Sequence, residues 1–134
     1  MEKRLLQLVI VLAAFVPVLA GVVGVLRGPG MAGAVFGAEA DSQFRYLSGI
    51  LVGVGAAYWL AVPAVEREGQ RLFMLTLIVV VGGFCRAVGM LIEGPAGPAA
   101  YAALSMELIV APGVYLWQAR IAHRASMDAP SPWR

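Results

Sequence analysis

Arg86 and Glu107 are the residues whose types and positions most favour chemistry, because each is a charge inside a long apolar run. Arg86 stands in the run 72–92 and Glu107 in the run 99–121. A guanidinium binds phosphate, carboxylate or carbonyl oxygens, and a carboxylate can fix its orientation or accept a proton. Inside a membrane an unpaired charge costs at least about 2.5–3.5 kcal/mol, so we expect the two to pair, or Glu107 to be protonated.

Further polar residues accompany this pair. Asp41 and Arg45 are four residues apart and share a face of the second predicted helix. Glu93 follows Arg86 by seven residues and shares a face of the third. Aromatic and hydroxyl groups nearby are candidates for lining a site. The predicted polar cluster, for ligand binding or for helix pairing, consists of Arg86, Glu107, Arg45, Asp41, Glu93, Tyr46, Ser48 and Tyr101.

Small residues and a proline surround the two central charges. Gly82, Gly83 and Gly89 flank Arg86, and Pro112 follows Glu107. Small residues let a neighbouring helix approach closely, and they equally leave room for a ligand. Because Pro112 has no backbone N–H, a kink or a widened groove there is one interpretation, and the other is that proline is common in membrane helices without a special role.

Four apolar runs must position these residues, at 5–26, 44–65, 72–92 and 99–121. Each has about 20 residues, the length with which an α-helix crosses a bilayer, and none alternates in polarity as membrane strands do. The chain has 134 residues and is 60% hydrophobic. We predict an all-α integral membrane four-helix bundle over residues 1–121 and a polar cytoplasmic tail over 122–134. The first run exceeds a usual signal-peptide core, so we expect it to be retained.

The distribution of Lys and Arg predicts the orientation. Seven of the ten basic residues fall at the amino terminus, in the second loop and at the carboxyl end, namely Lys3, Arg4, Arg67, Arg71, Arg120, Arg124 and Arg134. Such residues favour the cytoplasmic side, so both termini are expected there, in a bacterial inner membrane. With this topology Arg86 and Glu107 lie roughly 9 Å and 12 Å from the outer ends of their helices, at similar depth.

The sequence disfavours the common soluble chemistries. Cys85 and His123 are each the only residue of their type, so we expect no disulfide, no metal site and no cofactor. The basic residues flank apolar runs and form no basic face with aromatic residues, so nucleic acid is not an expected partner. An enzyme is not favoured either, because Arg, Glu and Tyr alone do not specify a reaction.

Three segments carry a family resemblance: SQFRYLSGILVGVG (42–55), GGFCRAVGMLIEGPAGP (82–98) and MELIVAPGVYLWQAR (106–120). Together they resemble a widespread family of small bacterial four-helix membrane proteins of unknown function, broadly similar to the DoxX-like inner-membrane proteins. The resemblance covers nearly the whole chain. It implies the bundle and the importance of Arg45, Arg86 and Glu107, and it implies no activity.

Three functions remain open, and membrane lipids are expected neighbours in each. The first is binding of a lipid-like or other amphipathic small molecule, its polar head at the charges and its tail among the helices. The second is a structural or accessory subunit of a homo-oligomer or larger membrane complex, in which the charges fix helix pairing. The third is a small proton-coupled transporter, disfavoured because the first run contains no charge and the orientation bias is strong.

Overall fold

The computed structural model describes residues 1–29 and 37–127, and within these ranges the chain forms four helices. Each helix is long and apolar enough to cross a membrane. The prediction of an all-α chain with four membrane-capable helices is confirmed for the described residues. The helices are α1 (Glu2–Arg27), α2 (Ala38–Ala61), α3 (Gly69–Glu93) and α4 (Pro98–Met127).

The helix boundaries differ from the apolar runs at several places. α2 begins at Ala38 instead of residue 44 and ends at Ala61 instead of residue 65. α1 continues through Pro17 without interruption. α4 reaches Met127, inside the predicted tail, while residues 128–134 of that tail and residues 30–36 of the first connection lie outside the described residues.

The helices belong to two compact units, each built on a helical hairpin. One unit is Leu8–Pro63, which contains most of α1 and all of α2. The other combines Met1–Gln7 with the chain from Ala64 onward, and it contains α3 and α4. The packing of all four helices into one bundle stays a prediction.

Glycines bring α1 and α2 into close contact in the first unit. A Cβ built at Gly21 would lie 2.6 Å from the carbonyl oxygen of Ser48, and one at Gly55 would lie 2.5 Å from Cγ2 of Val18. Such distances leave no space for a larger side chain, so the two helices approach as closely as their backbones allow. The hydroxyl of Ser48 is buried in this contact and donates to the carbonyl of Phe44 at 2.8 Å.

Trp59 joins the two helices of this hairpin at its other end. Its indole Nε1 donates to the carbonyl of Val11 at 3.1 Å, and its ring packs edge-on against Phe15 with centroids 4.8 Å apart. An aromatic ring with one satisfied polar atom combines apolar contact area with a directional bond. Trp59 therefore stabilises the register of α1 against α2.

In the second unit, the amino terminus lies against the second connection and the last helix. Nζ of Lys3 is 2.8 Å from Glu66, and Nη1 of Arg124 is 3.0 Å from Glu2. The side chain of Gln118 is almost fully buried and donates to the carbonyl of Val65 at 2.8 Å. These contacts hold the three segments that are rich in Lys and Arg at one end of the unit.

Candidate functional site

Arg86 and Glu107 form a bidentate ion pair between α3 and α4. Nε of Arg86 donates to Oε2 of Glu107 at 2.9 Å, and Nη2 donates to Oε1 at 2.8 Å. Two parallel bonds of this kind are the strongest arrangement of a guanidinium with a carboxylate, and they fix the plane of both groups. The structure therefore brings the two central residues of the predicted cluster together.

The structure does not show the buried Arg/Glu cluster that the sequence predicts, since both side chains of the pair are partly exposed. The side chain of Arg86 is 40% exposed and that of Glu107 is 18% exposed. Asp41 and Arg45 are 38% and 41% exposed.

Glu107 lies in a π-helical turn, Met106–Val110, within α4. The N–H of Ala111 donates to the carbonyl of Met106, five residues earlier, instead of four. Pro112 favours this turn because it has no N–H to donate to the carbonyl four residues before it. π turns inside α-helices are rare and occur frequently at functional sites. The helix is thus irregular next to Pro112, and this π geometry was not predicted.

The glycines around Arg86 separate into a packed and an open set. A Cβ built at Gly83 would lie 2.9 Å from Cβ of Glu107, so Gly83 lets α4 approach α3. No atom of the described chain lies within 4 Å of a Cβ built at Gly82 or Gly89. At about 100° per residue, Gly83 is on one side of Arg86 and the other two glycines are on the opposite side. Arg86 therefore stands between a packed side and an open side of α3.

Arg86 keeps hydrogen-bond donors that the described chain does not use. A guanidinium has five N–H groups, and the bonds to Glu107 use one on Nε and one on Nη2. Among the described residues, no other acceptor lies within hydrogen-bond distance of Arg86. Charged N–H groups in apolar surroundings are costly without an acceptor. The remaining donors therefore give Arg86 the capacity to bind oxygen atoms.

The second predicted pair, Asp41 and Arg45, has a structural role in the first unit. Nε of Arg45 lies 2.8 Å from Oδ2 of Asp41, and its Nη1 donates to the carbonyls of Val25 and Leu26 at the end of α1. Carbonyls in a last helical turn have no partner within the helix, and a cation there also interacts favourably with the helix dipole. Arg45 is therefore a cap of α1, a role that the sequence analysis missed.

The other four predicted site residues are divided between the two units. Tyr46 is exposed on α2, and Ser48 packs against α1 in the first unit. Tyr101 and Glu93 belong to the same unit as Arg86 and are exposed. The side chains of these last two form no hydrogen bond or ion pair with the described part of the chain. Each of the two ion pairs lies within one unit, and the cluster of all eight residues stays a prediction.

We expect Arg45→Gln to lower the free energy of unfolding, because it removes the charged cap of α1. Arg71→Gln is the matched control, since within the described chain Arg71 pairs only with Glu68, three residues earlier, and is half exposed. That control should change stability by less than about 0.5 kcal/mol. Chemical unfolding in detergent micelles, followed by circular dichroism, measures both values. Equal losses in the two variants would contradict the capping role.

The comparison with known proteins agrees with one part of the family resemblance, namely that the chain resembles a family of unknown function. Residues 5–118 match the family model described as Domain of unknown function (DUF4345). No curated protein and no solved structure matches the chain. The matched residues include Arg45, Arg86 and Glu107 and extend from α1 into the last third of α4. Because this match spans most of its length, the chain belongs to the DUF4345 family, whose members share a domain of unknown function.

Proposed function

We propose that this chain is an integral membrane protein in which the Arg86–Glu107 pair binds the polar head of a lipid-like or other amphipathic small molecule. The exposed apolar side chains of the helices support the membrane location. Large apolar residues are more than half exposed on every helix, for example Leu12, Leu47, Leu91 and Leu116. Such extensive apolar surface is unfavourable in water and suits a lipid environment.

The proposal includes an orientation. Both termini face the cytoplasm, and the four helices form one bundle in a bacterial inner membrane. The distribution of Lys and Arg supports this orientation. The contacts of Lys3 with Glu66 and of Glu2 with Arg124 agree with it, because they join the basic segments at one end of their unit.

The unused donors of Arg86 are the observation that carries the binding proposal. Arg86 itself adjoins the side of α3 on which Gly82 and Gly89 have no described atom within 4 Å of their Cβ positions. In a bilayer no water is present to satisfy these donors, so the oxygens of a head group are suitable acceptors. Glu107 neutralises the guanidinium and holds its plane, so recognition depends on directed hydrogen bonds more than on excess charge.

A structural or accessory subunit is the alternative. The bidentate geometry of Arg86 and Glu107 favours it, because a pair that joins α3 to the π turn of α4 also fixes the register of these helices. The capping role of Arg45 is a second structural use of a charge in this chain. A small proton-coupled transporter is the less favoured option, since residues 5–26 of α1 contain no charge.

Quantifying co-purified amphiphiles distinguishes a protein that binds an amphipathic molecule from a structural or accessory subunit. Protein is purified in mild detergent, and extracted lipids are measured by mass spectrometry per mole of protein. Gly89→Leu places a side chain on the open side of α3, so we expect it to lose the bound molecule while the unfolding temperature is retained. Gly53→Leu on α2 is the control, because Gly53 also has no described atom within 4 Å of its Cβ position.

Arg86→Lys provides a second test of the same site. Lysine keeps the positive charge but lacks the planar fork, so we expect loss of the bound molecule beyond any change in stability. A wild-type protein without a stoichiometric amphiphile, or one that loses it equally in Gly89→Leu and Gly53→Leu, would contradict binding at Arg86 and favour the accessory subunit.

A further inference from the structure

The face of α3 that carries Arg86 ends at a second charge, Glu93. Glu93 is the last residue of α3 and is exposed. It follows Arg86 by seven residues, which corresponds to about 10.5 Å along the helix axis and only about 20° around it. Gly89 lies between the two charges and has no described atom within 4 Å of its Cβ position. Arg86 and Glu93 therefore lie at the two ends of a strip on one face of α3, which also contains Gly89 and Met90.

We infer that this strip binds a zwitterionic phospholipid head group with a primary ammonium, of the phosphoethanolamine type. The inference rests on the proposed function and specifies the class of its ligand. The phosphate oxygens accept hydrogen bonds from the unused donors of Arg86, and the ammonium donates to the carboxylate of Glu93.

The balance of charge favours a zwitterion over an anionic lipid. The strip contains one guanidinium, Arg86, and one carboxylate, Glu93. The ion-pair partner of Arg86, Glu107 on α4, adds a second carboxylate. Glu107 already compensates Arg86, so Glu93 remains as an uncompensated negative charge that no described residue pairs. An anionic head group adds a further negative charge and is repelled, whereas a zwitterion supplies the cation that Glu93 lacks.

The order of the charges matches the order within the head group. In a phospholipid the phosphate is joined to the glycerol and lies closer to the acyl chains than the ammonium does. On α3, Arg86 lies within the apolar run and Glu93 lies at the helix end. A lipid whose chains lie along the apolar part of α3 therefore presents its phosphate to Arg86 and its ammonium to Glu93.

Hydrogen-bond chemistry distinguishes a primary ammonium from a trimethylammonium. A carboxylate accepts hydrogen bonds, and a primary ammonium offers three N–H donors. A trimethylammonium offers none, so it interacts with Glu93 only as a diffuse charge. The strip should accordingly prefer phosphatidylethanolamine to phosphatidylcholine when the acyl chains are identical.

Native mass spectrometry of the delipidated full-length protein tests this preference. The protein in detergent is titrated separately with phosphatidylethanolamine, phosphatidylcholine and phosphatidylglycerol that carry the same acyl chains. We expect the wild type to bind phosphatidylethanolamine about tenfold more tightly than the other two, equivalent to about 1.4 kcal/mol. Glu93→Gln should remove this preference and leave comparable binding of phosphatidylethanolamine and phosphatidylcholine. Glu39→Gln, at another exposed carboxylate, should retain it.

The outcomes separate this inference from the proposed function. Equal affinity of the wild type for phosphatidylethanolamine and phosphatidylcholine, or a preference for phosphatidylglycerol, overturns the ammonium assignment. An unchanged preference in Glu93→Gln also overturns it. If Gly89→Leu still abolishes phospholipid binding in these cases, the site at Arg86 stands and only its ligand class is wrong. If no phospholipid binds to the wild type and no amphiphile co-purifies with it, both proposals fail.

Discussion

Arg86→Ala is expected to destabilise the protein more than the double replacement of Arg86 and Glu107 by alanine. The single change leaves the carboxylate of Glu107 next to apolar residues without its bidentate partner. In a membrane a stranded charge costs at least about 2.5–3.5 kcal/mol. The double change removes both charges, and the pair itself adds little net stability because desolvation offsets its attraction.

A double-mutant cycle measures this effect. The free energies of unfolding of the wild type, Arg86→Ala, Glu107→Ala and the double variant are determined in the same detergent by denaturant titration. We expect a coupling energy of about 1–3 kcal/mol between the two positions. Strictly additive losses would mean that the two side chains do not interact in the folded protein.

Gly21→Val is expected to disrupt the hairpin of α1 and α2. The added Cβ would lie 2.6 Å from the carbonyl oxygen of Ser48 and 2.9 Å from the backbone nitrogen of Val52. Both atoms belong to the backbone and cannot rotate away, so α1 must move from α2. Overpacking of this kind costs about 1–3 kcal/mol, and the branched side chain of valine places it at the upper end.

The matched control is Gly49→Val on α2. No described atom lies within 4 Å of a Cβ built at Gly49, so the same change in side chain meets open space there. Thermal unfolding in detergent should show a clear decrease in unfolding temperature for Gly21→Val and little change for Gly49→Val. Comparable unfolding temperatures would contradict the close approach of the two helices.

The four helices could be predicted because run length and apolar character are local properties of the sequence. Their boundaries were less predictable. α2 begins at Ala38, and its first turns contain Glu39 and Asp41, which an apolar-run criterion rejects. Negative charges are nevertheless favourable at a helix amino terminus, where the dipole is positive. The start of α2 therefore depends on the interaction of these carboxylates with the helix dipole, which a hydrophobicity criterion does not measure.

The two ion pairs differ in how far the sequence could predict their contacts. Arg86 and Glu107 could be matched because both are isolated charges at similar estimated depth on consecutive apolar runs. The capping role of Arg45 could not be found in this way, since its acceptors are the backbone carbonyls of Val25 and Leu26. Every residue has a carbonyl, so side-chain identity contains no signal for that contact.

The sequence by itself determined which residues are available for packing or chemistry: four apolar runs, a guanidinium and a carboxylate within two of them, and glycines beside the guanidinium. Only the tertiary structure decided how these residues are used. It placed Gly83 against Glu107 and left Gly82 and Gly89 open, and it put Glu107 in a π turn. The physical reason is that residue type limits what a side chain can do, whereas the rotation of each helix about its axis, set by packing, decides which neighbours it meets.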